Sequence, residues 1–206
     1  MKIIDKNTWI HAHSFDFFDS FACPLADFGF DFNSKHLYDW CQKKKTSFFL
    51  AFLYGILDSI NKVPAFRQRL LDNSQIVEYD QIAVMTPVPL NDDECGLVLL
   101  EYAPTLSEFL KQSLPIINAV KAKDFSKCRI DTNRQDIIIA SCLPWFSFTS
   151  MTHAKKSYSS NTYPALSWGK MDEHGHINLV IQFDHRFIDG IHVGKFYQNM
   201  VEYLNK

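Results

Sequence analysis

Apolar and polar positions alternate near the C-terminus in the pattern of a strand that leads into a helix. Every second residue of one stretch is apolar, which places these side chains on one face of a strand: Ile177, Leu179, Ile181 and Phe183. His185 continues that series, so its side chain is expected on the same face. Asp189 and Gly190 are expected to form a turn, after which apolar residues recur at helical spacing: Val193, Phe196, Tyr197, Met200 and Leu204. The sequence therefore predicts a strand, a turn and a helix, with His185 at the end of the strand.

Comparable patterns predict the remaining helices and strands. The clearest long helix is expected over residues 46–62, with Thr46 or Ser47 as the N-cap. A second is expected over residues 106–123, with a kink at Pro115. The other segments are a helix at 35–42, strands at 75–79, 82–86, 95–102 and 136–142, and irregular stretches at 87–93 and 125–135. Because strands and helices do not alternate strictly, we expect an α+β fold, a two-layer sandwich in which helices cover a large mixed or antiparallel sheet.

Length and composition indicate one domain and exclude several classes of protein. The chain has 206 residues, 47% of them hydrophobic, which is enough for a single well-buried domain over residues 1–206. Its net charge is −2 and the basic residues are dispersed, so nucleic-acid binding is not expected. The N-terminus lacks the apolar core of a signal peptide, and no later run is long enough to span a membrane. Five cysteines form neither a Cys-x-x-Cys pair nor a disulfide grid, so we expect a soluble cytoplasmic protein with reduced thiols.

The segment over residues 9–32 is unusually aromatic. Most of its phenylalanines are expected in the core: Phe15, Phe17, Phe18, Phe21, Phe28, Phe30 and Phe32. The alternative is that some of them line a pocket for an aromatic or apolar ligand. Both interpretations stay open at the level of the sequence.

His185 and the residues after it form a candidate catalytic site. A histidine at the end of a strand, with an aspartate four residues on and a glycine behind it, is a compact way to build an oriented base. The strand aims the imidazole, Asp189 braces the turn, and Gly190 is expected to permit a backbone shape that other residues resist. A purely structural histidine is the alternative, because His-x-x-x-Asp-Gly is short enough to occur often by chance.

Two His-x-His pairs raise the question of a metal site. They are His11 with His13, and His174 with His176. Neither pair has a cysteine or carboxylate at ligand spacing, so we expect no metal. The second pair flanks Gly175 and has the pattern of a hairpin tip.

Two motifs carry a resemblance to a known family. Residues 182–196 read Gln-Phe-Asp-His-Arg-Phe-Ile-Asp-Gly-Ile-His-Val-Gly-Lys-Phe and resemble the active-site segment of the chloramphenicol acetyltransferases. Their Asp-His-Arg-x-x-Asp-Gly form also resembles the related catalytic domains of dihydrolipoyl acyltransferases. Residues 141–150 read Ser-x-Leu-Pro-Trp-x-x-Phe-x-Ser and are very similar to a second segment of the acetyltransferases. Taken alone, this second motif is a buried strand that enters a polar turn, whose hydroxyls could simply cap it.

The resemblance implies catalytic roles for four residues. His185 matches the general base of the family, and Asp189 matches a carboxylate that is expected to shape the turn rather than exchange protons. Ser150 matches the serine that hydrogen-bonds the oxyanion. Ser167 stands where the family has a threonine that holds a water near the oxyanion, and it retains the hydroxyl.

The resemblance also implies a binding site, with two departures from the family. Lys170 matches a lysine that contacts coenzyme A phosphate, and the acceptor pocket is expected to include Phe18, Cys23 and Phe148. Phe18 replaces a pocket tyrosine of the family. His11 replaces the arginine that pairs with the aspartate of the motif. Either His11 is a weaker, pH-dependent partner of that aspartate, or the carboxylate is held in another way.

The activity that the resemblance implies is direct transfer of an acetyl group from acetyl-CoA to an acceptor hydroxyl. Acetyl-CoA is then a co-substrate, with no bound cofactor, and chloramphenicol is the leading acceptor, so the expected outcome is inactivation of the antibiotic. Family members are homotrimers with active sites at subunit interfaces, so the same assembly is expected here, with no membrane or nucleic acid as a partner. Two alternatives stay open: the same transfer to a different small acceptor, and a non-catalytic trimeric binding module.

Overall fold

The structure of the protein is a computed structural model in which residues 1–71, 74–91, 93–127, 134–154 and 162–206 are described. Over these ranges the helices are α1 (Ala12–Asp19), α2 (Lys35–Lys44), α3 (Phe48–Asn61), α4 (Leu106–Lys121) and α5 (Gly190–Leu204). The strands are β1 (Lys2–Ile3), β2 (Leu25–Asn33), β3 (Gln68–Leu70), β4 (Ile76–Glu78), β5 (Ala83–Pro89), β6 (Cys95–Leu100), β7 (Ile137–Cys142), β8 (Ala165–Trp168) and β9 (His176–Asp184).

A six-stranded mixed sheet forms the centre of the fold. Its order is β2-β9-β8-β7-β5-β6, and a small three-stranded sheet has the order β1-β4-β3. In the large sheet, β7 runs parallel to both β5 and β8, whereas the other neighbouring pairs are antiparallel. The prediction of helices against a large mixed sheet is therefore confirmed.

Strand β9 is buried along nearly its whole length because strands lie on both sides of it. It pairs with β2 over nine residues, from Leu25 opposite Asp184 to Asn33 opposite His176, and with β8 on its other edge. The predicted hairpin tip is confirmed, since Gly175 turns the chain into β9 with φ of +89°. The predicted helix after the strand is also confirmed, and it begins at Gly190 with Asp189 as its N-cap.

Helix α3 is the most deeply buried helix, as its apolar sequence predicts. The Ser47 side chain accepts a hydrogen bond from the backbone N–H of Leu50, which confirms Ser47 as the N-cap. Gly55 lets α3 approach α5 closely, because a Cβ at that position would collide with the ring of Tyr203. The Tyr203 hydroxyl in turn donates to the carbonyl of Ala51 at 2.8 Å. These contacts hold α3 and α5 against each other.

The expectation that the phenylalanines of residues 9–32 are mostly core is wrong for the single chain. Phe15 and Phe32 are buried, but Phe17, Phe21 and Phe28 are exposed. Phe17 and Phe21 pack against each other, and exposed aromatic side chains in contact are typical of a site that another molecule covers. The alternative, that some of them line a pocket for an aromatic or apolar ligand, stays a prediction.

Several further segments differ from the sequence-based expectation, and α1, β2 and β8 are among the elements that were not predicted. Strand β5 continues through Pro87, where an irregular break is predicted. Proline has no backbone N–H, but the pairing of β5 with β7 already ends at Met85, so β7 loses no hydrogen bond at Pro87. Strand β3 has no counterpart among the predicted elements because three residues are too few to display a period. Within the stretch predicted as irregular, Phe125–Lys127 forms a short 3₁₀ helix, and residues 128–133 lie outside the described ranges.

None of the helices in the described ranges has the length and hydropathy needed to cross a bilayer.

Candidate active site

The turn after β9 places His185 just beyond the end of an interior strand of the large sheet. The backbone N–H of His185 donates to the carbonyl of Pro24 at 2.7 Å, which ties the turn to the residues before β2. Cys23, next to Pro24, is an exposed free thiol. Gly190 has no positive φ, and a Cβ there would meet nothing within 4 Å. The expectation that Gly190 supplies an unusual backbone shape is therefore wrong, and Asp189 shapes the turn as the N-cap of α5 instead.

The His185 ring is oriented by a carboxylate and by an aromatic face. Its Nδ1 lies 3.3 Å from Oδ1 of Asp189, an ion-pair distance, and makes no hydrogen bond within the described ranges. The Phe18 ring stacks on the imidazole, with centroids 3.9 Å apart and planes inclined by 21°. Because Nδ1 faces Asp189, Nε2 at the far edge of the ring is the nitrogen left for a substrate. The His185 side chain is 28% exposed, so a substrate can reach it.

Two more histidines surround the carboxylate of Asp189. Nδ1 of His11 lies 3.8 Å from Oδ2 of Asp189, which brings together the pair predicted from the sequence at a distance too long for a hydrogen bond. His192 accepts a 3.0 Å hydrogen bond from the backbone N–H of Asp189 through its Nδ1. Burial, followed by the nearby His11, lowers the pKa of His192, which favours the neutral ring that this bond requires. His192 is thus a residue of the site that sequence reasoning missed.

A buried ion pair lies directly behind His185. Arg186 is 3% exposed, and its Nη2 donates to Oδ2 of Asp184 at 2.7 Å. Its Nη1 donates to Oδ1 of Asp19, at the end of α1, also at 2.7 Å. Burial alone lowers the pKa of Arg186, but the hydrogen bonds and charges of these two carboxylates outweigh it and raise that pKa. The Asp-x-Arg sequence at the end of an apolar strand indicates the pair of Asp184 and Arg186, but nothing in the sequence identifies Asp19 as a further partner of Arg186.

The loop after β7 lies across the face of the large sheet and carries a second group of predicted residues. The loop is held by a hydrogen bond from the Lys170 N–H to the Phe146 carbonyl at 2.9 Å and by one from the Asn178 side chain to the Ser147 hydroxyl at 3.0 Å. The loop also packs on Gly29 of β2, where a Cβ would come within 2.9 Å of the Thr149 carbonyl oxygen. A side chain at residue 29 would push this loop off the sheet.

This second group presents a hydroxyl, an aromatic ring and a lysine. Ser150 and Lys170 are exposed, and Phe148 is half-buried beside Gly169. Ser167 is fully buried in β8, and its hydroxyl lies 2.9 Å from Nε2 of His153. His153 is a second residue that the sequence did not single out, because it follows the recognised motif by three positions.

The two groups of residues lie apart along β9 within one chain. Gly29, which the loop covers, pairs with Val180, whereas His185 lies five residues further along the strand. Five residues of extended chain span about 16 Å. His185, Asp189, His11 and Phe18 are thus brought together at one end of the strand, and the Ser150 loop lies beside its middle.

Exposed aromatic side chains accompany both groups. Phe17 and Phe21 pack together, with ring centroids 5.2 Å apart, near the end that carries His185. Trp145 and Phe146 are exposed in the loop that carries Ser150. Both halves of the candidate site therefore border apolar surface of the kind that a second subunit covers.

Comparison with known proteins gives the family of the chain. The model of the family described as chloramphenicol acetyltransferase matches residues 1–201. The chain belongs to this family. A chloramphenicol acetyltransferase of Campylobacter coli is 26% identical over 209 residues, covering 98% of this chain and 98% of the relative. Chloramphenicol acetyltransferase 3 of Escherichia coli is 24% identical and is covered over 95% of its length, with 98% of this chain matched.

Solved structures agree with this assignment. A chloramphenicol acetyltransferase superimposes with a TM-score of 0.88 at 26% identity, covering 99% of this chain and 100% of the other. A probable dihydrolipoamide acetyltransferase from Listeria monocytogenes shares the fold, with a TM-score of 0.66 at 13% identity, covering 98% of this chain and 92% of the other. The resemblance to the chloramphenicol acetyltransferase family is confirmed, and the dihydrolipoamide acetyltransferase comparison shows a shared fold.

Proposed function

We propose that the protein transfers the acetyl group of acetyl-CoA to a hydroxyl of chloramphenicol. The observation that carries this proposal is the placement of His185, whose Nδ1 faces Asp189 while 28% of the side chain stays exposed. An imidazole held in this way presents Nε2 as a base to a bound alcohol. The family of the chain supports acetyl-CoA as the donor and chloramphenicol as the acceptor.

In the proposed reaction, His185 takes the proton of the acceptor hydroxyl while its oxygen attacks the thioester carbonyl. The imidazolium that forms is stabilised by the carboxylate of Asp189, 3.3 Å away, and by the face of Phe18. Collapse of the tetrahedral intermediate breaks the C–S bond, and the departing thiolate takes the proton back from His185. The products are the acetyl ester and free CoA, and no acyl-enzyme forms.

The oxyanion of the intermediate requires a hydrogen-bond donor on the other side of the reacting carbon. We assign this role to the exposed hydroxyl of Ser150. We assign Ser167 a supporting role through a water, as in the family, and its hydroxyl also lies 2.9 Å from Nε2 of His153. We assign the binding of an acetyl-CoA phosphate to Lys170, an exposed lysine two residues after β8.

A trimer brings the two groups of residues together in this proposal. Ser150 of one subunit meets His185 of the next, because the distance along β9 keeps them apart within one chain. The exposed aromatics beside each group supply apolar area for such an interface. Sedimentation at three times the 23.9 kDa mass of one chain is the expected result, and a monomer at micromolar concentration would contradict it.

The proposed activity is tested by the release of CoA thiol from acetyl-CoA, with and without chloramphenicol. Release that depends on chloramphenicol, with the acetyl ester identified by mass spectrometry, supports the proposal. Release only with other alcohols would assign the chain to a different acceptor, which is the alternative that the changes at His11 and Phe18 favour. No release with any acceptor would leave a binding module.

Replacement of His11 by alanine is expected to have a small effect on this activity. The ring lies 3.8 Å from the Asp189 carboxylate and is 26% exposed, so the pair contributes about 0–1 kcal/mol, a change of less than about fivefold in kcat/KM. Steady-state kinetics against both substrates provide the measurement, with exposed His13→Ala as the control. A loss of two orders of magnitude would instead make His11 the main support of Asp189.

A further inference from the structure

Helix α1 is fastened to the turn after β9 at two points that lie one helical turn apart. Phe15 packs edge-to-face against Phe187, with ring centroids 5.4 Å apart. Asp19, four residues further along α1, accepts a hydrogen bond of 2.7 Å from Nη1 of Arg186. Residues at i and i+4 lie on the same face of a helix, so both contacts hold the same side of α1 against the turn.

Phe18 lies in the last turn of this helix and stacks on His185, with ring centroids 3.9 Å apart. A stack between two rings has no directional hydrogen bond that fixes it, so its geometry depends on the position of the backbone that carries Phe18. Asp19 is the next residue along the chain and the last of α1. Whatever fixes Asp19 therefore fixes Phe18 over the imidazole.

The charge of Asp19 is not needed to neutralise a buried group. Arg186 already pairs with Asp184, which is 1% exposed and accepts from both Nε and Nη2. Asp19 is 49% exposed, so water can replace its carboxylate as the hydrogen-bond partner of Nη1. Its contact with Arg186 is thus better explained by the position that it gives α1 than by the folding of the turn.

We propose that Asp19 is a positioning residue for acetyl transfer, which acts by holding Arg186 so that Phe18 covers one face of the His185 ring. This inference rests on the proposed function, since it assigns the base to His185. The covering ring limits rotation of the imidazole, excludes water from one of its faces and favours the imidazolium formed during proton transfer. Asp19 itself touches neither the substrates nor the reacting atoms.

The first test compares two aspartates of the same helix in the full-length protein. Asp19→Ala is expected to lower kcat/KM for chloramphenicol about tenfold through misplacement of Phe18, with the KM for acetyl-CoA and the melting temperature unchanged. The matched control is Asp16→Ala, because Asp16 is an exposed residue of α1 that pairs with Lys6 instead. If both variants behave alike, Asp19 has no positioning role.

The second test asks whether Asp19 acts through Phe18. Phe18→Leu removes the stacked ring and is expected to lower kcat/KM by itself. Adding Asp19→Ala to that variant is expected to cause no further loss, because the ring that Asp19 positions is already gone. Losses that multiply in the double variant would show that the two residues act independently and would overturn the proposal.

The third test does not depend on acetyl transfer. Diethyl pyrocarbonate modifies exposed imidazoles, and peptide mass spectrometry gives the rate at His185, with exposed His174 as an internal reference. A looser Phe18 is expected to raise the rate at His185 in Asp19→Ala but not in Asp16→Ala. Equal rates in both variants and in the wild type would refute the positioning role, even if the protein proved to transfer no acetyl group.

Discussion

Replacement of His185 by alanine is expected to lower the rate of acetyl transfer by about 10²–10⁴-fold, because the acceptor hydroxyl then loses the base that takes its proton. No other described histidine can substitute for it from the same position. His11 lies on the other oxygen of Asp189, and the Nδ1 of His192 is engaged by the Asp189 backbone. The measurement is CoA thiol release at saturating acetyl-CoA, with chloramphenicol as the acceptor.

The fold of this variant is expected to be intact, since the His185 side chain is partly exposed and the backbone bond to Pro24 does not involve it. Thermal unfolding and the binding of acetyl-CoA, followed by calorimetry, check this point. His174→Ala is the matched control, because His174 sits at the exposed tip of the hairpin before β9. A His185→Ala protein that keeps near-native turnover would show that the base has been assigned wrongly.

The elements that the sequence predicts well are those in which burial follows a local period. β9 and α5 show their periods over nine and fifteen residues, and α3 has an apolar run with a capping serine at its start. In each case the side chains that face the core follow one another at strand or helix spacing. The position of His185 at the end of β9 follows directly from this pattern.

The contacts around His185 depend on chain segments that are far apart in the sequence, and no local pattern contains them. The bond between Arg186 and Asp19 joins residues 167 positions apart. His153 reaches Ser167 from a loop rather than from a periodic element. The exposed phenylalanines of residues 9–32 were expected in the core because a hydrophobic side chain indicates burial. The sequence does not indicate whether the chain itself or a partner buries that side chain.

An ion pair joins the N-terminal segment to the catalytic turn, but its positive and negative partners are exchanged relative to the pair that the family resemblance implies. There, an arginine near the N-terminus pairs with the aspartate of the motif, and this chain has His11 at that position. Here the arginine belongs to the turn, as Arg186, and the carboxylate belongs to α1, as Asp19. The weak contact of His11 with Asp189 is therefore compatible with a firmly held site, because a different ion pair performs the fastening.

Replacement of Ser150 by alanine is expected to lower kcat by about 10²–10³-fold, equivalent to roughly 3–4 kcal/mol of transition-state stabilisation. The hydroxyl is proposed to bind the oxyanion, which exists only after the acceptor attacks, so the loss should fall on kcat and leave both KM values near the wild type. The side chain is exposed, so its removal leaves no unsatisfied buried group. Ser147→Ala, which deletes a nearby hydroxyl bonded to Asn178, is the control for disturbance of the loop.

A mixture of the Ser150→Ala and His185→Ala chains decides whether the two residues meet across an interface. If they come from different subunits, heterotrimers formed by joint refolding contain sites in which His185 of one chain faces Ser150 of the other, and activity reappears. If each site were built within one chain, every site in the mixture would lack one of the two groups, and activity would stay at the level of the single variants. Recovery of activity is the expected result, because the loop that carries Ser150 packs on Gly29, whose partner Val180 in β9 lies five residues before His185.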